Sequence, residues 1–460
     1  MTKPRQAVVI IHGIGEQRPM ETLRSFVLGV LGSTQRPNGT RAFYSKPDPN
    51  ADTFELRRYR AFQGRTDSDF IEFYWQHLMP VAAWRFLFIW LWLLMKRPVK
   101  SMPPRFVSLW WVAWIAFILV ALAILASVLS WVGIDVPQMP LATKLPWGAA
   151  VIGASVGFLV RAFVGDAAVY LNPHPRTVQA RNAIRSSGVA LIERLQFDGR
   201  YDRIVVVGHS LGSVIGYDIL SFAWHRASEE FRRKVEAGGL PADTPSQSAL
   251  AAAEKLAKTG GPNLNQQWQT ASRAVAVEFT QLGLKWLVTD FVTLGSPLAH
   301  GSLLLAHGPA DFTRRVGERE LPVSPPFRED GTHFSYQRAG RSSGGKRQSA
   351  RVPDHAAVFA LTTWTNLYFP CRAFFYGDVI GGSIAASFGP AIADRAVATK
   401  IRKGWLAHTS YWSRYSGFDN NSDSAPVGLI DALDLDRQSF PRRAPVQRKP
   451  AAKRADKPSK

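Results

Sequence analysis

Ile204-Val205-Val206-Val207 runs straight into Gly208-His209-Ser210-Leu211-Gly212, and a helical pattern, Val214-Ile215-Gly216-Tyr217-Asp218, follows at once. Few folds accommodate such a passage. A short run of β-branched apolar residues reads as a strand buried on both faces, as in a parallel sheet covered by helices. A glycine on either side of Ser210 lets the chain turn sharply from strand to helix and lets other backbone approach closely. The turn lifts Ser210 Oγ above the sheet edge, at a helix N-terminus that favours developing negative charge. A plain N-cap serine requires neither the preceding strand nor both glycines. The expected fold class is therefore α/β, a mostly parallel sheet flanked by helices.

A second strand-to-glycine passage lies near the N-terminus, Val8-Val9-Ile10-Ile11-His12-Gly13-Ile14-Gly15. Its small residues suit a loop whose amides face an anion. It lacks the third glycine of the dinucleotide-binding G-x-G-x-x-G pattern. The amides of Gly13 or Ile14, together with that of Leu211, are the candidate oxyanion donors, and His12 is expected to orient the loop.

A nucleophilic serine needs a base and an acid, expected downstream in the order acid, then histidine. Beyond the elbow helix the candidates for the base are His300, His307, His333, His355 and His408. His408 is preferred, near the end of the ordered chain where a last strand would finish. Leu361–Phe369 reads as a strand, and Asp378 follows in a Gly-flanked loop. Asp378 would set the tautomer of His408. Asp290 is expected to precede its own strand, at the wrong sheet edge, and Asp354 precedes the Leu361–Phe369 strand.

Between these motifs the composition changes. Phe106–Ile134 contains no charged residue over 29 positions, enough to cross a bilayer core. A second run, Leu145–Val160, carries the small-residue face Gly153-Ala154-Ser155-Val156-Gly157. The pair reads as a transmembrane hairpin, with helices at about 106–132 and 145–165, preceded by an interfacial helix at 81–95. Lys96, Arg97, Lys100 and Arg105 precede it and Arg176, Arg181 and Arg185 follow it, which puts both ends in the cytoplasm. The layout is then an N-terminal part of the sheet domain with the His12-Gly13 loop at 1–78, a membrane region at 79–165, the main part of the sheet domain at 166–436 with a helical insert at 229–281, and a disordered basic tail at 437–460. Arg338–Arg351 reads as a mobile Ser/Gly/basic loop.

The chain has 56 Lys+Arg against 35 Asp+Glu, a formal charge of +21, which favours an anionic partner. The basic tail lacks interleaved aromatics and any recognised module, so nucleic acid is not expected and an anionic lipid surface is. One cysteine, Cys371, excludes an internal disulfide and a Cys-based zinc site. Oligomeric state is left open.

Four stretches in order, IIHGIG, VVVGHSLGSVIGYDIL, FVTLGSPL and WTNLYF…GDVIGG…AHTSYW, resemble the lipase-like serine hydrolases of the α/β-hydrolase superfamily. The elbow is also similar to that of intracellular phospholipases A1 of the DDHD type. The resemblance covers about half the chain and leaves out the hairpin and the tail. It implies a Ser210–His408–Asp378 triad that hydrolyses acyl esters without cofactor or metal. The departure is at Tyr368-Phe369-Pro370-Cys371-Arg372, where many such lipases carry the acid. With the membrane region, the expectation is a membrane-anchored esterase, lipase or phospholipase. A non-catalytic scaffold of the same fold and an acyltransferase using the same triad are the alternatives.

Overall fold

The computed structural model describes residues 3–437 except 15–17, 37, 52, 64–65, 80–91, 103, 134–166, 168, 172–173, 242–244, 329, 342–344, 346, 372–375, 402–403, 417 and 419–420. Its centre is an eight-stranded sheet of order β10-β9-β6-β5-β1-β4-β3-β2. The strands are β1 (Arg5–Ile11), β2 (Phe43–Pro47), β3 (Arg57–Gln63), β4 (Thr66–Phe73), β5 (Arg203–His209), β6 (Val288–Leu294), β9 (Thr363–Tyr368) and β10 (Ala393–Ala396). From β4 to β10 all neighbours pair in parallel, and β2 and β3 complete the edge antiparallel.

Successive side chains of a strand point to opposite faces, and this divides the core in two. Val8, Ile10, Val205 and Val207 pack with Phe26 and Val27 of α1 (Glu21–Leu31). Val9, Ile11, Ile204 and Val206 face the opposite layer. That layer holds α3 (Val178–Phe197), α4 (Leu211–Glu236), α5 (Ser248–Thr259) and α6 (Leu264–Gln281). Both faces are covered, so the strands need no polar side, which is why they read as continuous apolar runs.

The segment 229–281 is helical as expected, but it is no detached cap. Trp268, Val275 and Phe279 belong to the main core cluster. The expected mobile loop at Arg338–Arg351 is an antiparallel hairpin, β7 (Ser335–Arg341) with β8 (Arg347–Pro353). Alternating burial along β7 was hidden by its polar composition. Arg437, expected as the first residue of a disordered tail, is instead buried and ion-paired; 438–460 lie outside the described residues.

Of the expected hairpin, the second run and positions 81–91 also lie outside the described residues. The first run is α2 (Pro104–Trp131). Side chains are described at only part of α2, and over the described residues no helix is long and apolar enough to cross a membrane. Many of those that are described are exposed. Phe117, Ile118 and Leu119, about 100° apart around the axis, are 44%, 50% and 53% exposed. Near its base, Trp110 and Trp114 donate to Met95 O at 3.1 and 3.2 Å.

At the N-terminal end of the sheet a buried polar network joins distant parts of the chain. Arg203, fully buried, donates to Asp290 at 2.8 Å, Gln6 at 2.7 Å and the carbonyls of Leu433 and Asp434. Arg437 grips both oxygens of Asp290 at 2.9 Å. Asp290 is thus the third residue of β6, not a residue before it, and it sits at the end remote from Ser210. Burial alone would raise its carboxyl, but the two guanidiniums hold it far below its ordinary range. Asp290→Asn leaves two buried cations short of an anion, and we expect a loss of about 3–5 kcal/mol in denaturant unfolding.

Glu72, near the end of β4, poses the opposite problem. It accepts from Met20 N–H at 2.7 Å at the start of α1, yet burial dominates and raises its carboxyl to about 7. The folded state therefore holds this proton up to about pH 7, whereas the unfolded chain releases it near 4.5. Its contribution to stability is full below pH 4.5 and is lost as pH rises through 7. Between pH 5 and pH 8, wild type should lose roughly 2.5 kcal/mol relative to Glu72→Gln. Parallel melting-temperature profiles against pH would read this difference, and coincident profiles would refute it.

Candidate active site

The chain passes from β1 to one side of the sheet and from β5 to the other, so the gap between these two strands is a switch point. Ligand sites in open α/β sheets form at the carboxyl ends of strands there. Ser210 follows β5 and His12-Gly13 follows β1, so both passages meet at this point. Ser210 has φ 53° and ψ −128°, a conformation outside the regions an L-residue ordinarily occupies. It is held there by its own N–H on Leu294 O at 3.0 Å and by Ser213, whose N–H and Oγ both donate to Ser210 O at 2.9 and 2.6 Å.

Two of the expected amide donors, those of Leu211 and Gly13, lie beside it. Leu211 opens α4, so its N–H is among those an α-helix leaves without an intrahelical acceptor. A Cβ placed on Gly13 would lie 2.8 Å from Ser210 Cβ, so the Gly13 backbone lies directly against the serine. Ile14 comes next and is half-buried. His12 is fully buried, stacked on Trp75 at 5.0 Å, and Trp75 Nε1 donates to its carbonyl. Burial lowers the His12 imidazole to about 4, which leaves it neutral and suited to holding the loop.

Asp378 and His408, 30 residues apart, are brought together: His408 Nδ1 lies 2.8 Å from Asp378 Oδ2. Both are buried. His408 does not end a strand; it is the last residue of a short helix, α8 (Gly404–His408), which follows β10. Burial would raise the Asp378 carboxyl. His408, the N–H of Gly381 and the hydroxyl of Tyr411 at 2.8 Å outweigh it and hold the group at about 2. Asp378 N–H also reaches Phe369 O at 3.4 Å. This bears on the missing acid after β9: Asp378, nine residues beyond Phe369, lies against the strand end.

Asp354 serves elsewhere, paired with Arg319 and 3.0 Å from His355 Nδ1. His300 is buried beyond β6, and His333 Nδ1 lies 3.1 Å from Glu254 Oε2.

Sequence reasoning missed several supporting residues. His209 Nε2 lies 2.9 Å from His408 O, and its ring is 4.9 Å from that of Trp412. It ties the elbow to the histidine loop, and burial lowers it to about 3, so it remains neutral. Asn366, in the Trp-x-Asn strand, donates to Gly382 O and Asp394, anchoring the loop after Asp378. Gly295, in the FVTLGSPL stretch, has φ 56°. A Cβ there would lie 2.8 Å from Asp378 Oδ2 and 3.0 Å from His408 Nδ1. The G-S-P tripeptide at a strand end was the available signal. The described residues include no group of His, Cys, Asp and Glu arranged to hold a metal.

Compared with known proteins, the chain matches no family model, and no curated protein or solved structure is significantly similar to it.

Gly295→Ala tests the geometry of the acid–base pair. We expect a folded protein whose reaction with a serine-directed fluorophosphonate slows on the order of 10²-fold, the cost of displacing a positioned group by about 1 Å. An unchanged labelling rate would show that Gly295 does not hold the pair.

Proposed function

We propose that this chain is a serine ester hydrolase of the α/β-hydrolase type, held at a membrane by α2 and acting on lipid acyl esters. The observation that carries the reading is Ser210, strained on its elbow, at the same sheet edge as the buried Asp378–His408 pair. In this reading Ser210 Oγ attacks the ester carbonyl carbon while its proton passes to His408 Nε2. The amides of Leu211 and of Gly13 or Ile14 receive the developing oxyanion. The tetrahedral intermediate collapses by breaking the bond to the alkoxy oxygen, which takes the proton from His408. Water, deprotonated by the same nitrogen, then releases the acid and restores Ser210. Asp378 stays ionised throughout, fixing Nδ1 and stabilising the imidazolium.

Three features support the membrane reading. The described apolar side chains of α2 are exposed on several sides, and at 28 residues the helix is about 42 Å long. Tryptophans cluster near its base, as they do at bilayer interfaces. Lys96, Arg97 and Lys100 precede it without an intervening acid. Lipid esters are the favoured substrates because the site is then held beside them at high local concentration.

Fluorophosphonate labelling should occur in wild type and vanish in Ser210→Ala. Turnover of a lipid-ester panel should fall nearly as far in His408→Ala as in Ser210→Ala, because the members act as a unit. Asp378→Asn should lose on the order of 10⁴ in turnover. Labelling retained in Ser210→Ala would overturn the nucleophile. Release of the full-length protein by carbonate extraction would overturn the anchor.

A further inference from the structure

A cleft of about 970 Å³ runs along α4 from Val214 to His225, about 16 Å of helix, and none of Ser210, Asp378 and His408 lines it. Its far wall is Leu93–Pro98, the segment that leads into α2, and the first residues of α3 close one side. Seven Lys/Arg and only four Asp/Glu line it. Most of these cations are satisfied. Arg185 pairs with Asp218 at 2.6 Å, and Arg319 pairs with Asp354. Arg314 and Arg315 pair with acids in or just after α7 (Pro309–Gly317).

Arg97 and Arg181 differ. Among the described residues neither makes an ion pair. Arg97 donates to one carbonyl, Leu303 O, at 2.9 Å. Arg181 Nε is buried with no hydrogen-bond partner among the described residues. Both guanidiniums are pushed below their ordinary range, by burial first and, for Arg181, by Arg185 as well, with Tyr170 and Asp218 offsetting only part of it. Partly buried cations without an ion pair are costly, and an anion arriving from outside relieves that cost. The remaining wall is mixed, with Leu93, Leu171 and Leu304 among its apolar residues and His225, His307 and His355 among its polar ones.

We propose that this cleft is an anion site, in which Arg97 and Arg181 receive a phosphate group through charge-assisted hydrogen bonds. The chemistry is that of a phosphate ester carrying an apolar neighbour. The phosphate belongs either to a lipid headgroup at the foot of α2 or to a soluble ester. The site does not depend on Ser210 chemistry, so it stands or falls separately from the hydrolase reading.

The test uses full-length Ser210→Ala protein in neutral detergent, which keeps hydrolysis out of the measurement. Dihexanoyl phosphatidic acid, dihexanoyl phosphatidylcholine, glycerol 3-phosphate and inorganic phosphate are titrated separately, with melting temperature and calorimetry as readouts. Phosphatidic acid should raise the melting temperature by about 2–4 °C at saturation. Its affinity should fall about 10-fold or more in Arg97→Gln/Arg181→Gln, and not in Arg226→Gln, which lies outside the cleft. Without ligand the double variant should melt no lower than its parent, since it loses two cations without ion pairs. If it fails to fold, Arg97→Lys/Arg181→Lys keeps the charge but loses the fork, and should bind with intermediate affinity. Binding of phosphate and glycerol 3-phosphate as well would assign a soluble phosphate as sufficient; binding of phosphatidic acid alone would assign the lipid headgroup. No response to any anion, equal affinity for phosphatidylcholine, or unchanged affinity in the double variant would overturn the site.

Discussion

The turn between β5 and α4 passes so close to the end of β1 that only glycine fits at its contact points. A Cβ on Gly212 would lie 2.2 Å from Ile11 O and 2.5 Å from His12 O, and one on Gly208 would lie 2.5 Å from the Ser213 Cα. These are backbone atoms and cannot swing aside. The approach brings two strand-to-loop passages, nearly 200 residues apart, to one point on the sheet edge. The strain at Ser210 persists because the surroundings over-determine it: β6 holds its amide, Ser213 holds its carbonyl, and Gly13 presses on its side chain. The rest of the site is arranged around a serine whose position is already set.

The far end of the sheet shows how that edge is kept in register. Asp290, Arg203 and Arg437 link β6, β5 and the segment after α9 (Ala425–Leu433), while Gln6 brings in β1. Every donor of Arg203 has an acceptor, which is the condition under which buried charge is tolerated. The strands that carry Ser210 and Gly13 are therefore pinned at both ends, by glycine contacts at one and by a closed ionic network at the other.

The parallel core and the elbow were legible because both rest on local patterns. Strands buried on both faces read as short apolar runs, and a strained strand–helix turn demands glycine at fixed offsets. Asp378 and His408 were legible through chain order and loop position. What was not legible depends on non-local return of the chain. Tyr411 looks like an aromatic in an apolar stretch until Asp378 is folded onto it. His209 looks like filler in the elbow until His408 O meets its ring. The β7–β8 hairpin was hidden because the burial of β7 alternates while its composition is largely polar. Asp290 sat within, rather than before, its strand because a buried acid paired with two arginines leaves no signature distinct from a surface aspartate.

The apolar excursion has a topological reason to be tolerated. It departs after β4 and the chain re-enters at α3 before β5, and β4 and β5 both flank β1. A long segment inserted there interrupts no hydrogen-bonded pair, and the entropy of closing a longer loop grows only slowly with length. Residues on either side of it line the same cleft, Leu93, Leu94 and Lys96–Pro98 before it and Arg181 after it. A bilayer-facing helix attached at this point would present phosphate headgroups to the cleft mouth beside Arg97, on the flank of the very helix that Ser210 caps. Two sites of different chemistry, one neutral and strained, the other cationic, would then be set along one helix by the same insertion point.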